Sequence, residues 1–320
     1  MATRDMCGTL KDMQEGAAKT PRAVLIAGPT ASGKSALALK LAERQNGVIV
    51  NADSMQLYKE LRLVSARPSR EEESRVPHRL YGVISAARQF STGAWLDLVG
   101  AEINRIEQEG KLPVIVGGTG LYFKALTEGL AIIPEIPDEI RAACRLLADV
   151  KGVDGVRERL VSKDPLAAEN LIDLQRLTRA LEVAEATGRP LAEWQRDAQS
   201  SALLRLVDCR SFVLGPPRPW LHARIAQRAS LMLSETGEAE VRALLEMSLP
   251  KSLPAMRAIG VREIADLLRG TTDREQALHH LTVATRRYAK RQETWFRNQM
   301  PKWPRVDPTD TVALETASNQ

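Results

Sequence analysis

Eight consecutive residues have the composition and spacing of a phosphate-binding loop. The run GPTASGKS at Gly28–Ser35 matches the pattern GxxxxGK[ST] in full, directly after an apolar run. In such a loop the backbone N–H groups and the start of the following helix surround an anionic phosphate, and the lysine adds a positive charge. The last hydroxyl, that of Ser35, can bind Mg2+. The motif therefore predicts a site for a phosphate compound and leaves open which compound it is.

An acidic residue follows the next apolar run along the chain. Asp53 comes shortly after the run GVIV at Gly47–Val50. Because the carboxyl ends of neighbouring parallel strands open onto the same crevice, we expect Asp53 to lie near the phosphate-bound ligand. From its position alone this carboxylate could bind Mg2+, cap a helix, or remove a proton from an incoming nucleophile.

A second carboxylate is missing where a kinase would need it. Enzymes that transfer phosphoryl groups on this kind of scaffold usually hold Mg2+ with an acidic residue at the end of another strand. The candidate strand at Leu112–Val116 is followed by Gly117-Gly118-Thr119-Gly120 instead. This replacement argues against phosphoryl transfer.

Short apolar runs alternate with helical patterns around these motifs. The runs lie at 22–27, 47–50, 112–116 and 211–214, and each ends in turn-forming residues, which is typical of buried parallel strands. Apolar residues at helical spacing occupy 35–44 and 96–106. The pattern predicts the α/β class, as a P-loop parallel sheet flanked by helices, with a helical insertion domain and a helical C-terminal region.

Five segments are predicted along the chain. Residues 1–20 are polar and are expected to form a flexible extension, and 21–133 the P-loop core domain. Residues 134–199 begin at a proline-rich entrance and lack strand signals, so a helical insertion domain is predicted there. Residues 200–305 are expected to return to the core and continue as a basic helical region. The last segment, 306–320, is expected to be a flexible tail.

Composition excludes several classes of protein. The 320 residues are 44% hydrophobic, enough for a large core, and only 4% aromatic, which favours helices on a mostly parallel sheet over an all-β sandwich. The three cysteines stand singly, so we expect neither a disulfide framework nor a zinc site, and we expect a reducing, cytoplasmic location. No apolar run is long enough to span a membrane, and a membrane partner is not expected.

Positive charge is concentrated towards the C-terminal end. The whole chain has a net charge of +5, whereas residues 251–305 contain twelve basic and five acidic residues. Such a concentration is expected of a surface that meets a polyanion such as a nucleic acid. The alternative is an ordinary solvated helical face.

Seven blocks of sequence carry a resemblance to a known family. They are GPTASGKS at 28–35, NADSMQLY at 51–58 followed by ARP at 66–68, VPHRLYG at 76–82, VGGTGLYFKAL at 116–126, DLQRLTRALEV at 173–183, AIGVREI at 258–264 and TRRYAKRQETWFR at 285–297. In this order they resemble the tRNA dimethylallyltransferase family, also called tRNA isopentenyltransferases, over residues 22–303. The resemblance implies transfer of a dimethylallyl group from dimethylallyl diphosphate to N6 of an adenosine next to the anticodon of tRNA, at position 37.

The resemblance also implies what the phosphate-binding loop holds. It would bind the diphosphate of dimethylallyl diphosphate rather than ATP, since no phosphoryl group is transferred. Together with Mg2+, its residues would neutralise the charge that grows on the leaving diphosphate. The residues assigned to the diphosphate are Gly28, Thr30, Ala31, Ser32, Gly33, Lys34, Ser35 and Arg224, with Ser35 as the metal ligand.

Two residues are assigned to the chemistry and a larger set to tRNA. By the resemblance Asp53 is the general base that takes a proton from N6 of adenosine, and Thr119 hydrogen-bonds the substrate near the same centre. The adenosine must leave the stacked anticodon loop to reach them. By the same resemblance the insertion at 134–199 is assigned to tRNA binding, and the residues assigned to tRNA contact are Asp53, Ser54, Met55, Gln56, Arg141, Gln175, Arg176, Leu177, Thr178, Arg179, Arg257, Gly260, Arg262, Arg287, Lys290 and Arg291. Tyr288 and Trp295 are expected in the core rather than as stacking platforms.

One stretch departs from the family pattern. Residues 59–68 read KELRLVSARP, where the family usually has RGMDIGTAKP, so two glycines and an aspartate are lost. A hydroxyl at Ser65 and a positive charge at Arg67 are kept. The backbone path of this loop therefore does not follow from the resemblance.

Two other functions are weighed against this one. A P-loop kinase acting on a small molecule or nucleoside would consume ATP and need the second carboxylate that the sequence lacks. A non-catalytic RNA-binding protein would tolerate loss of the Asp53 carboxylate. The protein is expected to act as a monomer, because the sequence pattern shows no self-complementary apolar patch.

Overall fold

Six parallel strands form one sheet in the computed structural model, which describes residues 21–197 and 201–319. The strands are β1 (Ala23–Ala27), β2 (Gly47–Asn51), β3 (His78–Arg79), β4 (Leu112–Gly117), β5 (Cys209–Leu214) and β6 (Arg305–Val306). Their order across the sheet is β3-β2-β4-β1-β5-β6, and all neighbours are parallel. The predicted fold class is confirmed. The extension expected at 1–20 lies outside the described residues.

Helices connect and cover the strands. Within the described residues they are α1 (Lys34–Arg44), α2 (Arg70–Arg75), α3 (Thr92–Gln108), α4 (Gly120–Glu128), α5 (Asp138–Leu160), α6 (Pro165–Asn170), α7 (Leu174–Thr187), α8 (Leu191–Asp197), α9 (Arg218–Met232), α10 (Glu235–Glu246), α11 (Val261–Leu268), α12 (Arg274–Gln299) and α13 (Thr311–Asn319). The helical patterns at 35–44 and 96–106 correspond to α1 and α3. Helix α12 begins at Arg274, where the side chain of its N-cap, Asp273, accepts a hydrogen bond from the Gln276 N–H.

The chain divides into two compact units. The sheet unit contains the residues up to Lys124 and those from Leu204 onward, and the second unit is Ala125–Leu203. The insertion predicted at 134–199 lies within the sequence range of the second unit, except that residues 198–200 are outside the described part. The tRNA-binding role given to that insertion stays a prediction.

Burial and register explain why the motifs meet at one end of the sheet. Every residue of β1, β2 and β4 is buried, as expected of strands covered on both faces. The register pairs Ala27 of β1 with Gly117 of β4, and Asn51 of β2 with Val116. The phosphate-binding loop, Asp53 and the turn that begins at Gly118 therefore all follow the carboxyl ends of three adjacent strands.

The second unit has a helical core of its own. Helices α5 and α7 pack together through Cys144, Leu160, Leu177 and Leu181, which are all buried. Gly152, with a φ of 62°, interrupts α5 with a non-helical conformation. This unit contains helices and no strand among its described residues, in agreement with the helical pattern of its sequence.

The structure differs from the tail expected at the C-terminal end. Arg305 and Val306 pair with β5 as the sixth strand, and α13 follows. Val306 is buried, and Leu314 on α13 packs against the same sheet-side cluster. The Asp310 side chain accepts the Ala313 N–H at 3.0 Å and so caps this helix. A two-residue strand is too short to give a periodic signal, which is why the sequence pattern did not indicate it.

Candidate active site

The phosphate-binding loop leads into α1 through a glycine in the left-handed conformation. Gly33 has a φ of 87°, and no side chain of the described residues caps the helix behind it. The Lys34 ammonium donates a hydrogen bond to the Pro29 carbonyl at 3.1 Å. Burial lowers the pKa of Lys34 to about 8, partly offset by the negative charge of Asp53 and reinforced by the positive charge of Arg228. The first backbone N–H groups of α1 and a positive charge therefore face one anion site.

The loop also has hydroxyls suited to an anion and a cation. The Ser32 side chain is fully buried, and its hydroxyl has no hydrogen-bond partner among the described residues. A buried hydroxyl without a partner is costly unless a ligand supplies one. Ser35 is exposed at the start of α1 and presents a hard oxygen of the kind that Mg2+ prefers. These features fit a bound phosphate group and a metal ion beside it.

An arginine that the sequence analysis missed lies at this loop. Arg228 on α9 donates hydrogen bonds to the Thr30 hydroxyl and, at 3.2 Å, to the Val64 carbonyl. Burial lowers the pKa of Arg228, and the negative charge of Asp53 offsets only part of this effect. Arg224, which was assigned to the diphosphate, is exposed, donates to the Ala31 carbonyl at 3.0 Å and stacks on a tryptophan ring. Arg228 is therefore the cation held more deeply at the loop.

Asp53 is fixed just beyond the end of β2. The buried Asn51 side chain accepts a hydrogen bond from the Asp53 N–H at 2.8 Å and donates to the Asp53 carbonyl at 2.9 Å. One carboxylate oxygen, Oδ1, accepts the Met55 N–H at 3.1 Å. Burial raises the pKa values of three surrounding tyrosines, Tyr81, Tyr122 and Tyr288, and the charge of Asp53 raises them further. Asp53 is thus the negative centre of this site.

Thr119 lies on the turn after β4, beside the residues that follow β2. Its hydroxyl accepts the Ser54 N–H at 2.9 Å, and its own N–H donates to the Ala52 carbonyl at 3.1 Å. These bonds connect the ends of β2 and β4. The structure therefore places the two residues assigned to the chemistry, Asp53 and Thr119, on neighbouring, mutually bonded turns.

A glutamine on α12 connects this turn to the phosphate-binding loop. The Gln292 side chain accepts the Thr30 N–H at 2.8 Å and donates to the Gly118 carbonyl at 2.9 Å. A side chain at Gly118 would displace the Gln292 amide, because an added Cβ would lie 2.4 Å from Gln292 Nε2 and 3.2 Å from Asp53 Oδ2. Gln292 was not recognised in the sequence, where only the basic residues of this helix were assigned a role.

A cavity of about 230 Å3 opens beside Thr119, within the sheet unit. Its lining residues come from the turns after β2 and β4 and from two helices: Ser54, Gly118, Thr119, Gly120, Leu121, Tyr288, Arg291, Gln292, Trp295 and Phe296. The prediction that Tyr288 and Trp295 belong to the core is wrong, because both are only half-buried and line this cavity. The aromatic face suits a planar or apolar group next to the hydroxyl of Thr119.

The three residues after Asp53, which were also assigned to tRNA contact, are only partly accessible. Ser54 and Met55 are half-buried. The Gln56 side chain is also half-buried, and it donates to the Ser65 and Ala66 carbonyls at 3.0 and 2.8 Å. These bonds hold the loop at 59–68, whose sequence differs from the family pattern. The Glu240 carboxylate accepts the Leu63 N–H at 2.7 Å from the opposite side. The departure from the family pattern is therefore accommodated by a loop with its own anchors.

The basic residues of α11, α12 and the turn before them are mostly exposed. Arg257, Arg262, Arg287, Lys290 and Arg291 are all exposed. Gly260 is not: it is buried at the start of α11, with a φ of 104° and an added Cβ only 2.5 Å from Met232. The assignment of Gly260 to tRNA contact is corrected to a packing role, since close approach of the backbone explains this glycine.

In the second unit, α7 has one solvent-facing side and one packed side. Gln175 and Arg176 are exposed. Leu177 is fully buried in the helical core, and Thr178 is buried with its hydroxyl donating to the Leu174 carbonyl at 2.7 Å. The assignment of the Leu177 and Thr178 side chains to tRNA contact is therefore corrected, because this face of the helix packs against α5.

Two arginines of the second unit already have partners within it. Arg179 is paired with the buried Glu182 carboxylate at 3.2 Å. Arg141, at the start of α5, donates to the Ile136 carbonyl at 3.3 Å and lies 3.9 Å from Asp138. Both guanidinium groups remain partly accessible. Their contact with tRNA stays a prediction.

Two features are absent from the described residues, a membrane-spanning helix and a cluster of metal-ligating side chains. None of the helices in 21–197 and 201–319 is both long and apolar enough to cross a membrane. In the same ranges no three His, Cys, Asp or Glu side chains are grouped so as to hold a metal ion.

Comparisons with known proteins agree with this geometry. The model of the IPP transferase family matches residues 56–299. A tRNA dimethylallyltransferase from Rhizobium etli is 51% identical over 289 residues, which cover 89% of this chain and 97% of the relative. A protein of the same description from Rhodopseudomonas palustris is 48% identical over 314 residues and 97% of both chains.

Two solved structures are similar to this chain. The crystal structure of a tRNA isopentenylpyrophosphate transferase from Bacillus halodurans is 31% identical and superposes with a TM-score of 0.63 over 92% of this chain and 93% of that one. A structure of a eukaryotic dimethylallyltransferase acting on tRNA, at 24% identity and a TM-score of 0.72, shares the fold. By family model and by sequence identity, the chain belongs to the IPP transferase family, together with the tRNA dimethylallyltransferases.

Proposed function

We propose that this protein transfers a dimethylallyl group from dimethylallyl diphosphate to N6 of the adenosine at position 37 of tRNA, with release of diphosphate. The observation that carries the proposal is the meeting of a phosphate-binding loop and the Asp53 carboxylate at one end of the sheet, beside an aromatic cavity. The names of the relatives support the same reaction.

The diphosphate is assigned to the loop and its two nearby cations. The N–H groups at the start of α1, the buried Ser32 hydroxyl, Lys34 and Arg228 surround one anion site. Positive charge there stabilises the diphosphate as its bond to the allylic carbon breaks. The exposed Arg224 is placed at the rim, where it closes over the loop at Ala31.

Mg2+ is proposed beside this anion, with Ser35 as the protein ligand. When bound, the ion would neutralise charge on the leaving diphosphate. The remaining ligands would be diphosphate oxygens and water, the arrangement that Mg2+ often has with phosphate substrates. Ser35 is exposed at the start of α1, so its side chain is accessible to a metal ion.

Asp53 is proposed as the base for the amine. N6 of adenosine forms a bond to the allylic carbon, the carbon–oxygen bond breaks, and its electron pair leaves with the diphosphate. The proton displaced from N6 passes to the Asp53 carboxylate. Thr119, on the adjacent turn, orients the adenine ring by a hydrogen bond. The rings of Tyr288 and Trp295 line the cavity and can contact the planar or apolar groups that enter it.

The exposed basic residues are proposed to bind the tRNA backbone. Arg257, Arg262, Arg287, Lys290 and Arg291 in the sheet unit and Arg176 in the second unit form this set. The half-buried Arg141 and Arg179 and the uncharged, exposed Gln175 of the second unit are proposed to contact tRNA with them. Phosphate contacts of this kind supply affinity and orientation, whereas extrusion of the base into the cavity selects the adenosine.

We also propose that the enzyme acts as a monomer in the cytoplasm. Light scattering of the purified protein checks its oligomeric state.

The proposal is tested by following two labels. The protein is incubated with tRNA, Mg2+ and dimethylallyl diphosphate labelled in its carbon chain, and in parallel with γ-labelled ATP. We expect the carbon label to enter RNA with one diphosphate released per transfer, and ATP to remain intact. Label from ATP appearing on RNA or on a nucleoside would support a kinase, and binding of tRNA without any transfer would support a plain RNA-binding protein.

A further inference from the structure

We propose that Gln292 is a positioning residue that sets the separation between the diphosphate and the groups that act on adenosine N6. The inference rests on the proposed function and adds a residue to it. Gln292 does not touch the reacting atoms in this proposal. It acts by joining the backbone of the phosphate-binding loop to the turn that contains Thr119.

The connection is direct on both sides. Gln292 is 6% exposed, and its amide oxygen accepts the Thr30 N–H at 2.8 Å. Its amide nitrogen donates to the Gly118 carbonyl at 2.9 Å. Thr30 follows β1 and Gly118 follows β4, so one planar amide from α12 bonds the two turns at the ends of adjacent strands.

The two turns hold opposite halves of the proposed reaction. Thr30 belongs to the loop that binds the leaving group, and its hydroxyl accepts from Arg228. Gly118 precedes Thr119 and is close to Asp53, since a Cβ added to it would lie 3.2 Å from Asp53 Oδ2. A change in the spacing of these turns would alter the distance between the allylic carbon and N6. Misplacement by about 1 Å can lower a rate by about 100-fold.

The surroundings of Gln292 distinguish this role from ordinary packing. Thr285, another buried polar residue of α12, bonds only within its own helix, to the Leu281 carbonyl at 2.8 Å. Gln292 instead uses both ends of its amide on backbone outside α12, and it also lines the cavity. Both ends of its amide therefore bond the two turns of the site and not its own helix.

The test replaces the amide while keeping its length. In Gln292→Met we expect kcat for dimethylallyl transfer to fall about 10- to 100-fold. The tRNA dissociation constant should stay within about twofold, because no basic side chain is removed. Binding of inorganic diphosphate, measured by calorimetry, should change less than kcat, because most of its ligands stay on the loop and α1. Gln292→Asn, which keeps both groups on a shorter chain, should lie between Gln292→Met and the wild type.

Thr285→Val is the matched control. It removes a buried hydroxyl from the same helix, and we expect it to lower the melting temperature with kcat kept within about twofold. The inference is overturned if Gln292→Met retains wild-type kcat, or if both variants lose kcat in proportion to their loss of stability. Absence of transfer by the wild type would instead refute the proposed function.

A measurement on the wild type covers the case in which Gln292 variants fail to fold. Amide hydrogen exchange of Thr30, followed by NMR without substrates, reports whether its N–H is bonded. We expect strong protection, lasting through addition of inorganic diphosphate. Exchange of the Thr30 amide at the rate of a free loop amide would overturn the inference.

Discussion

The guanidinium of Arg228 donates a hydrogen bond to the hydroxyl of Thr30, inside the phosphate-binding loop. The same guanidinium donates to the Val64 carbonyl at 3.2 Å, so it is held between the loop and the segment that departs from the family pattern. Its Nε has no partner among the described residues. A half-buried cation whose buried Nε has no partner is well suited to receive an anionic ligand.

This arrangement predicts unequal roles for two arginines of α9. Arg228→Ala should weaken binding of inorganic diphosphate at least roughly 30-fold, because its half-buried guanidinium would form a hydrogen-bonded charge pair with the diphosphate, and loss of such a pair costs about 2 kcal/mol or more. Arg224→Ala should weaken it by no more than about fivefold, because that side chain is exposed. Calorimetric titration of each variant with diphosphate measures the difference. Equal losses in the two variants would contradict the assignment of Arg228 as the inner cation.

The lowered pKa of Lys34 predicts a pH dependence. Burial lowers this pKa to about 8, so the ammonium of the free enzyme is increasingly neutral above that pH. Only the charged form attracts diphosphate, so kcat/KM for dimethylallyl diphosphate should fall as pH rises through about 8. In Lys34→Arg the fall of kcat/KM above about pH 8 should disappear, because the guanidinium stays charged.

Asp53 affects the same titration, which gives an independent check. Its negative charge raises the pKa of Lys34, so Asp53→Asn should move the decline in diphosphate binding to lower pH. The comparison uses diphosphate affinity of each protein over a series of pH values. An unmoved or upward-moved midpoint would show that the two side chains do not interact as the structure indicates.

The carboxylate itself is expected to be essential for transfer. Asp53→Asn keeps an oxygen for the Met55 N–H but removes the basic carboxylate, so kcat should fall about 100- to 10,000-fold. The affinity for tRNA should be largely kept, since phosphate contacts supply most of it. Single-turnover transfer and a filter-binding titration separate the two effects. Retention of kcat within tenfold would remove Asp53 from the role of base.

The sequence was most informative where chemistry and local backbone coincide. The loop at Gly28–Ser35 and the carboxylate of Asp53 each follow a buried strand, so their motifs and their placement could be predicted together. Arg228 and Gln292 could not be found in this way, because they reach the loop from α9 and α12, 198 and 262 positions from Thr30. Their role depends on tertiary packing that no local pattern encodes.

Helix faces were predicted less well than helix positions. The block at 285–297 lies on α12, but Tyr288 and Trp295 within it were assigned to the core although they line a cavity. An aromatic residue on an amphipathic helix suits either place, and only the neighbouring turn distinguishes them. On α7, likewise, the block resemblance included Leu177, whose burial follows from its packing against α5.

Exposed basic residues on α12 predict a salt-dependent interaction with tRNA. If Arg287 and Lys290 each contact a phosphate, the double variant Arg287→Ala, Lys290→Ala should flatten the plot of log affinity against log salt by about 0.7 to 0.9 for each contact. Arg75→Ala is the control, because this exposed arginine is paired with Glu43 at 2.7 Å. An unchanged slope in the double variant would remove this face of α12 from the interface.

The close approach at Gly118 predicts a variant that loses activity more than stability. In Gly118→Ala the new methyl group would lie 2.4 Å from Gln292 Nε2, so the amide must move and its bond to the Gly118 carbonyl is lost. The moving atom is the end of a side chain, so the free energy of unfolding should fall by only about 1 kcal/mol.

The same methyl group would lie 3.2 Å from Asp53 Oδ2, and kcat should therefore fall at least about tenfold. Gly93→Ala, in the first turn of α3 with its nearest neighbour at 3.8 Å, serves as the control, because it adds a methyl group without crowding. Urea unfolding and single-turnover transfer are measured on both variants. Because the added methyl of Gly118→Ala touches both the amide and the carboxylate, full activity in that variant would mean that neither contact constrains the reacting groups.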